Sequence, residues 1–305
     1  MRFLPAMVLC AGLAGCAAPP SACHVEDVAD LPVSFTAEGP AIPVSLKGHP
    51  LNMLVDTGAE ISVLTPQTAQ ALNIPDDFSI TAAGAGVNGT VHAAVTVSQS
   101  LTFGRVSMGR AAFLVAGLGN AGRPGDVPVD GLIGNDILQQ FAIALDFPDH
   151  EMTLMLPGNC AEIVPPWPGR FSIMPFSRAP DSSPVIPIAI DGQVFNVVVD
   201  SGADTTFISA AALSGAGVLP EKGAPSLQAH SYGLGGLSAE ESRQVFATMT
   251  VGGETFAHPL IMTGESKLLA KLNADGLLGE DYLRHRKVFI NNLSDKIYLG
   301  FAAGP

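Results

Sequence analysis

Two copies of one unit make up most of this sequence, and this internal repeat constrains its fold more than any other feature. Residues 41–72 (AIPVSLKGHPLNMLVDTGAEISVLTPQTAQAL) match residues 185–213 (VIPIAIDGQVFNVVVDSGADTTFISAAAL) at an offset of 144 positions. Residues 130–147 match residues 275–292 at an offset of 145. Because self-similarity marks a structural unit that occurs more than once, we expect two halves related by a pseudo-twofold axis.

Each copy is expected to consist of short strands joined by turns. Gly and Pro account for 33 and 24 of the 305 residues, a density that interrupts long helices. Turns at residues 47–48 and 191–192 separate apolar strands, and β-branched or apolar residues at 61–64 and 205–208 predict a further strand in each copy. The sequence therefore predicts an all-β fold with one short helix near the end of each copy.

The repeat also divides the chain into segments. Residues 158–184 have lost the pattern and contain the run PPWPG, which is typical of a connector. The predicted segments are a signal peptide at 1–15, a tether at 16–40, a first lobe at 41–157, a Pro-rich connector at 158–184 and a second lobe at 185–305.

Composition and charge exclude several classes of protein. With 47% hydrophobic and 14% charged residues, the chain has the composition of a packed globular protein rather than a disordered one. Its net charge of −13, with no compensating run of Lys or Arg, would repel a nucleic-acid backbone, so we expect no nucleic-acid partner. After residue 20, no apolar stretch reaches the roughly 18 residues that a bilayer-spanning helix needs.

The residues that carry chemistry are two short motifs at equivalent points of the repeat, each directly after an apolar strand. They are Asp56, Thr57, Gly58 and Ala59 in the first copy and Asp200, Ser201, Gly202 and Ala203 in the second. A pseudo-twofold axis would bring both acids to the centre, where two adjacent carboxyl groups share a proton and titrate as a pair. One could then act as a general base on water while the other polarises a carbonyl group.

A single D-[ST]-G motif is a weak signal, because chance and an ordinary Asx turn explain one copy equally well. Two copies at the same repeat position are different. Each is followed about 75 residues later by an apolar Gly-flanked loop, residues 131–134 (GLIG) or 276–279 (GLLG). This combination favours a paired catalytic site.

On these motifs the sequence resembles a retropepsin-type aspartic protease of bacterial kind, with two retroviral-protease-like halves fused in one chain. The resemblance covers residues 41–156 and 185–301 and implies two retropepsin-like β-barrel lobes. It implies that Asp56 and Asp200 are the catalytic dyad, that Thr57 and Ser201 lock the two loops together, and that no cofactor is needed. It also implies flaps over an extended peptide, whose residues include Gly84, Gly86, Val87, Tyr232, Gly233 and Gly235.

The sequence departs from the retroviral pattern at one position. That pattern has Arg after the second Gly of the apolar loop, paired with the acid that follows Asp-Thr-Gly-Ala. Here the position is Asn135 or Glu280, facing Glu60 or Asp204, so the ion pair is expected to be absent and two acids could meet in the second half. Because Ala59 and Ala203 lack the hydroxyl of many pepsin-like enzymes, we expect a working pH nearer to weakly acidic or neutral.

The N-terminus indicates export. Arg2 precedes an apolar segment that ends in Leu-Ala-Gly-Cys at Cys16, which is typical of a signal peptide and resembles the bacterial lipobox. We therefore expect a lipid anchor on Cys16 and a location on the periplasmic side of a bacterial membrane, with cleavage as an ordinary signal peptide as the alternative. Cys23 and Cys160 could pair in an oxidising compartment, or could be two unrelated small residues.

Two classes of function remain open from the sequence. The first is an aspartic endopeptidase that acts on a protein or peptide as a monomer with an internal pseudo-dimer. The alternative is a noncatalytic peptide-binding or scaffolding lipoprotein with the same fold. The seven His residues show no metal-ligand or nucleophile spacing. Asp130 and Asp275 could form a second acid pair, but helix capping is the plainer interpretation.

Overall fold

The computed structural model describes residues 25, 28–74, 77–86, 89–118, 128–158, 160, 162–224, 226–232 and 238–301. Within these residues strands dominate and the helices are short, so the predicted all-β class with two pseudo-repeated lobes is confirmed. The described part of the first half contains two helices and that of the second half contains three, where the sequence predicted one in each.

The elements of the first half are β1 (Val28–Pro32), β2 (Ser34–Thr36), β3 (Gly39–Leu46), β4 (His49–Val55), β5 (Val63–Leu64), α1 (Pro66–Ala71), β6 (Asp77–Gly86), β7 (Gly89–Phe103), β8 (Val106–Val115), β9 (Gly131–Ile133), α2 (Asn135–Leu138), β10 (Ala142–Asp146) and β11 (Glu151–Met155). Strands β1 and β2 fall within residues 16–40, which the sequence analysis treats as a tether.

The elements that follow are β12 (Phe171–Pro175), β13 (Ser177–Arg178), β14 (Pro184–Ile190), β15 (Gln193–Val199), β16 (Phe207–Ser209), α3 (Ala210–Ala216), β17 (Leu227–Tyr232), β18 (Ser238–Val245), β19 (Thr248–Val251), β20 (Glu254–Ala257), β21 (Leu260–Gly264), α4 (Lys267–Leu272), β22 (Gly276–Leu278), α5 (Glu280–Leu283), β23 (Lys287–Asn291) and β24 (Lys296–Gly300). Strands β12 and β13 lie inside the predicted connector.

The first lobe is a closed barrel. Its sheet has the strand order β2-β3-β4-β9-β5-β8-β7-β6. The six strands from β3 to β7 in this order form the barrel, because β3 also pairs with β7. The second lobe repeats this order as β18-β21-β16-β22-β15-β14-β19, with the long strand β7 replaced by the two shorter strands β18 and β19. Closure leaves few free strand edges within the first lobe.

The hairpin that begins each lobe follows directly from its turn residues. Lys47 and Gly48 have φ values of 53° and 81°, and Asp191 and Gly192 have values of 49° and 78°. Two consecutive positive φ angles define the turn that matches the twist of a two-residue hairpin, and Gly or Asp accepts this backbone conformation at low cost. The strands that follow the turns, β4 and β15, end on buried apolar residues directly before the two acids.

A third sheet joins the two halves. Its order is β1-β11-β10-β23-β24-β12, and β10 pairs antiparallel with β23 from Ala142↔Asn291 to Asp146↔Lys287. Lys287 also forms an ion pair with the buried carboxylate of Asp146. The largest hydrophobic cluster is continuous through both halves and includes Phe113 and Phe195, so burial of apolar surface fixes the relative position of the lobes.

No helix in the described part of the chain is both long enough and apolar enough to cross a bilayer.

Candidate active site

Each candidate acid lies at the end of a strand that two neighbours hold in place. Strand β4 pairs in parallel with β9, and β15 pairs in parallel with β22. The backbone N–H of Asp56 donates to Ile133 O at 3.0 Å, and the N–H of Asp200 donates to Leu278 O at 3.0 Å. The apolar loops therefore lie directly behind the two acids.

The structure brings Asp56 and Asp200 together across the junction of the lobes. A Cβ atom added to Gly58 would lie 2.3 Å from Asp200 Cγ, and one added to Gly202 would lie 2.5 Å from Asp56 Cγ. Each carboxyl group thus sits over the glycine of the opposite lobe, and the two carboxyl groups hydrogen-bond to each other. Only glycine leaves enough space for this approach, which explains the third residue of both motifs.

Backbone N–H groups orient the two carboxyl groups. Gly58 N donates to Asp56 Oδ1 at 3.0 Å, while Gly202 N and Ala203 N donate to Asp200 Oδ1 at 2.9 Å and 3.0 Å. Hydrogen bonds of this kind favour the ionised form of a carboxyl group. They therefore allow one negative charge to persist in the pair.

The hydroxyl groups of Thr57 and Ser201 connect the two loops. Thr57 Oγ1 donates to Val199 O at 2.7 Å, and Ser201 Oγ donates to Val55 O at 2.6 Å. Both side chains are buried. Each hydroxyl group therefore donates to the last residue of a strand in the other lobe. That strand is the one that carries the other acid.

Burial raises the pKa values of both acids. The pKa of Asp56 rises to about 6, mainly because burial disfavours its charged form, with backbone donors partly opposing the shift. Burial and the adjacent charge of Asp56 raise the pKa of Asp200 well above its usual range. Two carboxyl groups in contact cannot both ionise readily, so the pair holds one proton over the interval between its two titrations.

A second layer of paired side chains supports each loop from behind. Ser62 Oγ donates to Asp136 Oδ1 at 2.7 Å, and Thr206 Oγ1 donates to Asp281 Oδ1 at 2.7 Å. Gly134 N donates to Ser62 Oγ at 3.0 Å, so the pair holds the apolar loop as well. The sequence analysis missed these residues, although their repeat offsets of 144 and 145 would have identified them.

Asp130 and Asp275 do not cap the short helices, so that interpretation is wrong. The N-cap residues of α2 and α5 are Gly134 and Gly279, because the strands β9 and β22 separate both acids from the helices. Asp130 Oδ2 accepts from Asn52 N at 2.8 Å, and Asp275 Oδ2 accepts from Asn196 N at 2.8 Å. These two acids hold the register of β4 and β15 instead.

At the position that departs from the retroviral pattern, the two lobes differ. Asn135 Nδ2 donates to Thr57 O at 2.8 Å and to Ser183 Oγ at 3.0 Å. Glu280 Oε1 lies 3.6 Å from Arg284 Nη1. Burial raises the pKa of Glu280, and the charge of Asp204 adds to this rise, so the two acids of the second lobe do interact.

Two hairpins extend from the barrels at the predicted flap positions. Strands β6 and β7 pair up to Gly86↔Gly89, and β17 and β18 pair up to Tyr232↔Ser238. Gly84 lies within β6 and pairs with Val91. Val87, Gly233 and Gly235 lie outside the described residues, as do Cys16 and Cys23. Cys160 is disulfide-bonded.

Among the residues that the structure describes, no group of three or more His, Cys, Asp or Glu side chains could hold a metal ion.

Two pseudo-symmetric β lobes with a pair of acids at their junction are the arrangement typical of the aspartic protease class. A family model described as aspartyl protease matches residues 42–137 and 186–282. The chain therefore belongs to the aspartyl protease family, and the retropepsin-like resemblance inferred from the sequence is confirmed.

A solved structure supports the same fold. The aspartic proteinase from Irpex lacteus is similar over 91% of this chain and 98% of that chain, with a TM-score of 0.50 and 13% sequence identity. Similarity at this level of identity shows the fold alone. A comparison with curated proteins finds no match.

Proposed function

We propose that the protein is an aspartic endopeptidase in which Asp56 and Asp200 activate the water molecule that hydrolyses a peptide bond. The observation that carries this proposal is the mutual contact of the two carboxyl groups, each over the glycine of the opposite lobe. Family membership supports a hydrolase of this class. The proposal goes further by assigning roles to individual residues.

The chemistry requires the pair to hold one proton. The carboxylate accepts a proton from water while the water oxygen attacks the carbonyl carbon of the peptide, and the protonated acid donates its proton to the carbonyl oxygen. The tetrahedral intermediate then collapses: one acid protonates the leaving nitrogen, the C–N bond breaks, and the other acid accepts the proton of a hydroxyl group. The pair again holds one proton, so the cycle needs no cofactor.

At the start of the cycle one acid is the carboxylate and the other is the proton donor, because burial and coupling let the pair hold one proton. Burial is the main cause of both shifts, so water exclusion by a bound peptide would strengthen them. The hairpins β6–β7 and β17–β18 are suited to cover an extended peptide, with Tyr232 at the base of the second. The substrate class is therefore an unfolded segment of a protein or a peptide.

We also propose that the protein is exported and lipid-anchored through Cys16, and that it acts as a monomer. The support is the sequence Leu-Ala-Gly-Cys at the end of the apolar N-terminal segment, and the two lobes that supply both acids in one chain. A disulfide between Cys23 and Cys160 fits an oxidising compartment. Substrates would then be proteins exposed on the same face of the membrane.

Cleavage of a peptide library, followed by mass spectrometry, tests the endopeptidase. The wild-type protein should cut specific bonds, and Asp56→Asn and Asp200→Asn should each abolish cutting while melting as cooperatively as the wild type. Asp191→Asn is a matched control, because it removes one charge from the hairpin turn of the second lobe and keeps an acceptor for Thr248 N. Specific peptide binding without cleavage by the wild type would favour the noncatalytic alternative.

A further inference from the structure

The two catalytic loops are held differently by the residue that follows the apolar loop. The backbone plays the same part in both lobes, since Asn135 N donates to Ala59 O at 2.8 Å and Glu280 N donates to Ala203 O at 2.7 Å. The side chains of Asn135 and Glu280, in contrast, have different partners. The buried amide of Asn135 donates to Thr57 O, whereas an ionised carboxylate at Glu280 has no hydrogen to donate to the equivalent carbonyl.

The hydrogen bond from Asn135 to Thr57 O affects a donor to Asp56. The carbonyl of Thr57 and the N–H of Gly58 belong to one planar peptide unit, so a side chain that orients the carbonyl also orients the N–H. That N–H is the donor to Asp56 Oδ1 at 3.0 Å. Asn135 therefore fixes a donor to the catalytic carboxyl group through a single rigid peptide.

Asn135 is itself held by the end of the connector. Its amide donates to Ser183 Oγ at 3.0 Å, and Ser183 is fully buried. Ser183 N donates to Asp181 Oδ1 at 3.0 Å, and Ala179 N donates to Ser183 O at 2.9 Å, which closes a tight turn. This turn brings the carboxylate of Asp181 near the first catalytic loop, where its negative charge acts on Asp56.

The second catalytic loop lacks this support. The repeat offset of 144 places Gly39 opposite Ser183 and Ala37 opposite Asp181. A Cβ added to Gly39 would lie 3.6 Å from Ser201 O. At this position the second loop therefore contacts a glycine, which has no side chain to form a hydrogen bond, whereas Ser183 supports the first loop through its hydroxyl group. The connector thus breaks the pseudo-twofold symmetry at the dyad.

We propose that Asp181, Ser183 and Asn135 are positioning residues that hold the first catalytic loop from one side and place the charge of Asp181 near Asp56. The inference rests on the proposed function, because it assigns Asp56 and Asp200 as the reacting pair. Two acids act on Asp56 from the elements around it: Asp200 from the second loop and Asp181 from the connector. Of these, only Asp181 comes from outside the two repeated units.

The first test removes the charge and keeps the shape. Asp181→Asn retains an acceptor for Ser183 N, so the turn should persist while the repulsion on the dyad disappears. We expect the first titration of the acid pair, followed by carbon-13 NMR of carboxyl-labelled Asp, to move to lower pH. The acid limb of the pH profile of kcat/KM should move in the same direction. Asp191→Asn, a remote isosteric change, should move neither.

The second test removes the hydrogen bonds. Asn135→Leu has similar volume and no donor, so it should lower kcat about tenfold or more while KM changes less than about twofold, because the reacting groups are misplaced rather than the substrate. Ser183→Ala should have a smaller effect, since the contact of Asn135 with Thr57 O remains. Thermal melting shows whether each variant is folded, and Asn135→Gln offers partial rescue.

An unchanged titration of the pair in Asp181→Asn, or full kcat in folded Asn135→Leu, overturns the inference. Failure of the proposed function is distinguishable from this result. If the wild type cleaves no peptide but the NMR titration still shifts in Asp181→Asn, the electrostatic role stands and the protease assignment falls.

Discussion

Thr57 and Ser201 exchange hydrogen bonds in both directions across the junction of the lobes. The backbone N–H of Thr57 donates to Ser201 Oγ at 3.1 Å, and the backbone N–H of Ser201 donates to Thr57 Oγ1 at 3.0 Å. Both hydroxyl groups also donate to a carbonyl of the opposite lobe. Each hydroxyl group therefore uses its donor and an acceptor site, and neither loop can move without breaking bonds at both ends.

Removal of one of these hydroxyl groups should destabilise the protein and its site together. Thr57→Val keeps the shape of the side chain but leaves Ser201 N and Val199 O buried without this partner. At about 1–3 kcal/mol for each unsatisfied group, we expect a loss of about 2–6 kcal/mol in the free energy of unfolding, measured by urea denaturation. Activity should fall in parallel.

Two further variants give this prediction its controls. Thr57→Ser retains the hydroxyl group and should remain close to the wild type. Thr255→Val removes a hydroxyl that bonds Thr250 Oγ1 on an exposed strand, and should cost less than about 0.5 kcal/mol. Equal losses in Thr57→Val and Thr255→Val would show that the network adds nothing specific.

The two motif glycines should tolerate no side chain. In Gly58→Ala the new Cβ would lie 2.3 Å from Asp200 Cγ, so the carboxyl groups must separate. Because displacement by about 1 Å can cost about 100-fold in rate, we expect at least that loss in kcat/KM for Gly58→Ala and for Gly202→Ala. Peptide cleavage assays measure it directly.

Gly215→Ala is the matched control for the glycine variants. Gly215 lies in helix α3, and an added Cβ meets no atom within 4 Å. Since Ala is favoured over Gly in a helix, this change should stabilise the protein by about 0.5–1 kcal/mol and leave cleavage unaffected. Full activity in Gly58→Ala would contradict the close approach of the two acids.

The rate of cleavage should rise with pH as the pair loses its first proton. Burial raises the pKa of Asp56 to about 6, so below that pH both acids are protonated and no carboxylate is present to accept a proton from water. Above it the pair holds one proton, until Asp200 also ionises. We expect a bell-shaped profile of kcat/KM with its acid limb near pH 6, and a maximum near pH 2 would refute this expectation.

The same shift should make stability depend on pH. The folded-state pKa of Asp56, about 6, is above the ordinary value of 3.8, so the stability that its protonated form contributes is present below pH 3.8 and is lost as pH rises through 6. A shift of about two units corresponds to a loss on the order of 3 kcal/mol. Asp56→Asn should therefore gain stability relative to the wild type between about pH 4 and pH 7, measured by thermal melting.

Asp149 provides a control of opposite sign. Its exposed carboxylate accepts a hydrogen bond from Lys287 at 2.9 Å, which lowers its pKa. The stability that the ionised Asp149 contributes is present above the pKa of the unfolded state, and it is lost as pH falls through the lower pKa of the folded state. Asp149→Asn should therefore lose stability relative to the wild type as pH rises. A parallel response of the two variants would exclude burial of Asp56 as the cause.

Anchoring through lipid should depend on Cys16 alone. In a bacterial host, the wild-type protein should fractionate with membranes, and Cys16→Ser should abolish both acylation, followed by mass spectrometry, and membrane association. Cys23→Ser is the control, because it changes a nearby thiol outside the Leu-Ala-Gly-Cys sequence. Release of Cys23→Ser from the membrane with retention of Cys16→Ser would reverse the assignment.

Most of the lobe architecture was predictable because local signals and the repeat agree. The turns at Lys47-Gly48 and Asp191-Gly192 follow from their glycines, which accept positive φ, and the apolar strands follow from their composition. The roles of Asp130 and Asp275 were not predictable in this way. Their partners lie in strands 78 and 79 positions away, so only the pairing of β4 with β9 and of β15 with β22 reveals them.

The sequence by itself determined that two equivalent units each place an acid after an apolar strand, since both the periodicity of strands and the motif are local properties that repetition makes visible. Only the tertiary structure decided that the two catalytic loops are supported unequally. That difference depends on Asn135 meeting Ser183 across 48 positions, and such long-range contacts carry no local pattern. They arise because Ser183, at the end of the connector, packs against the first lobe.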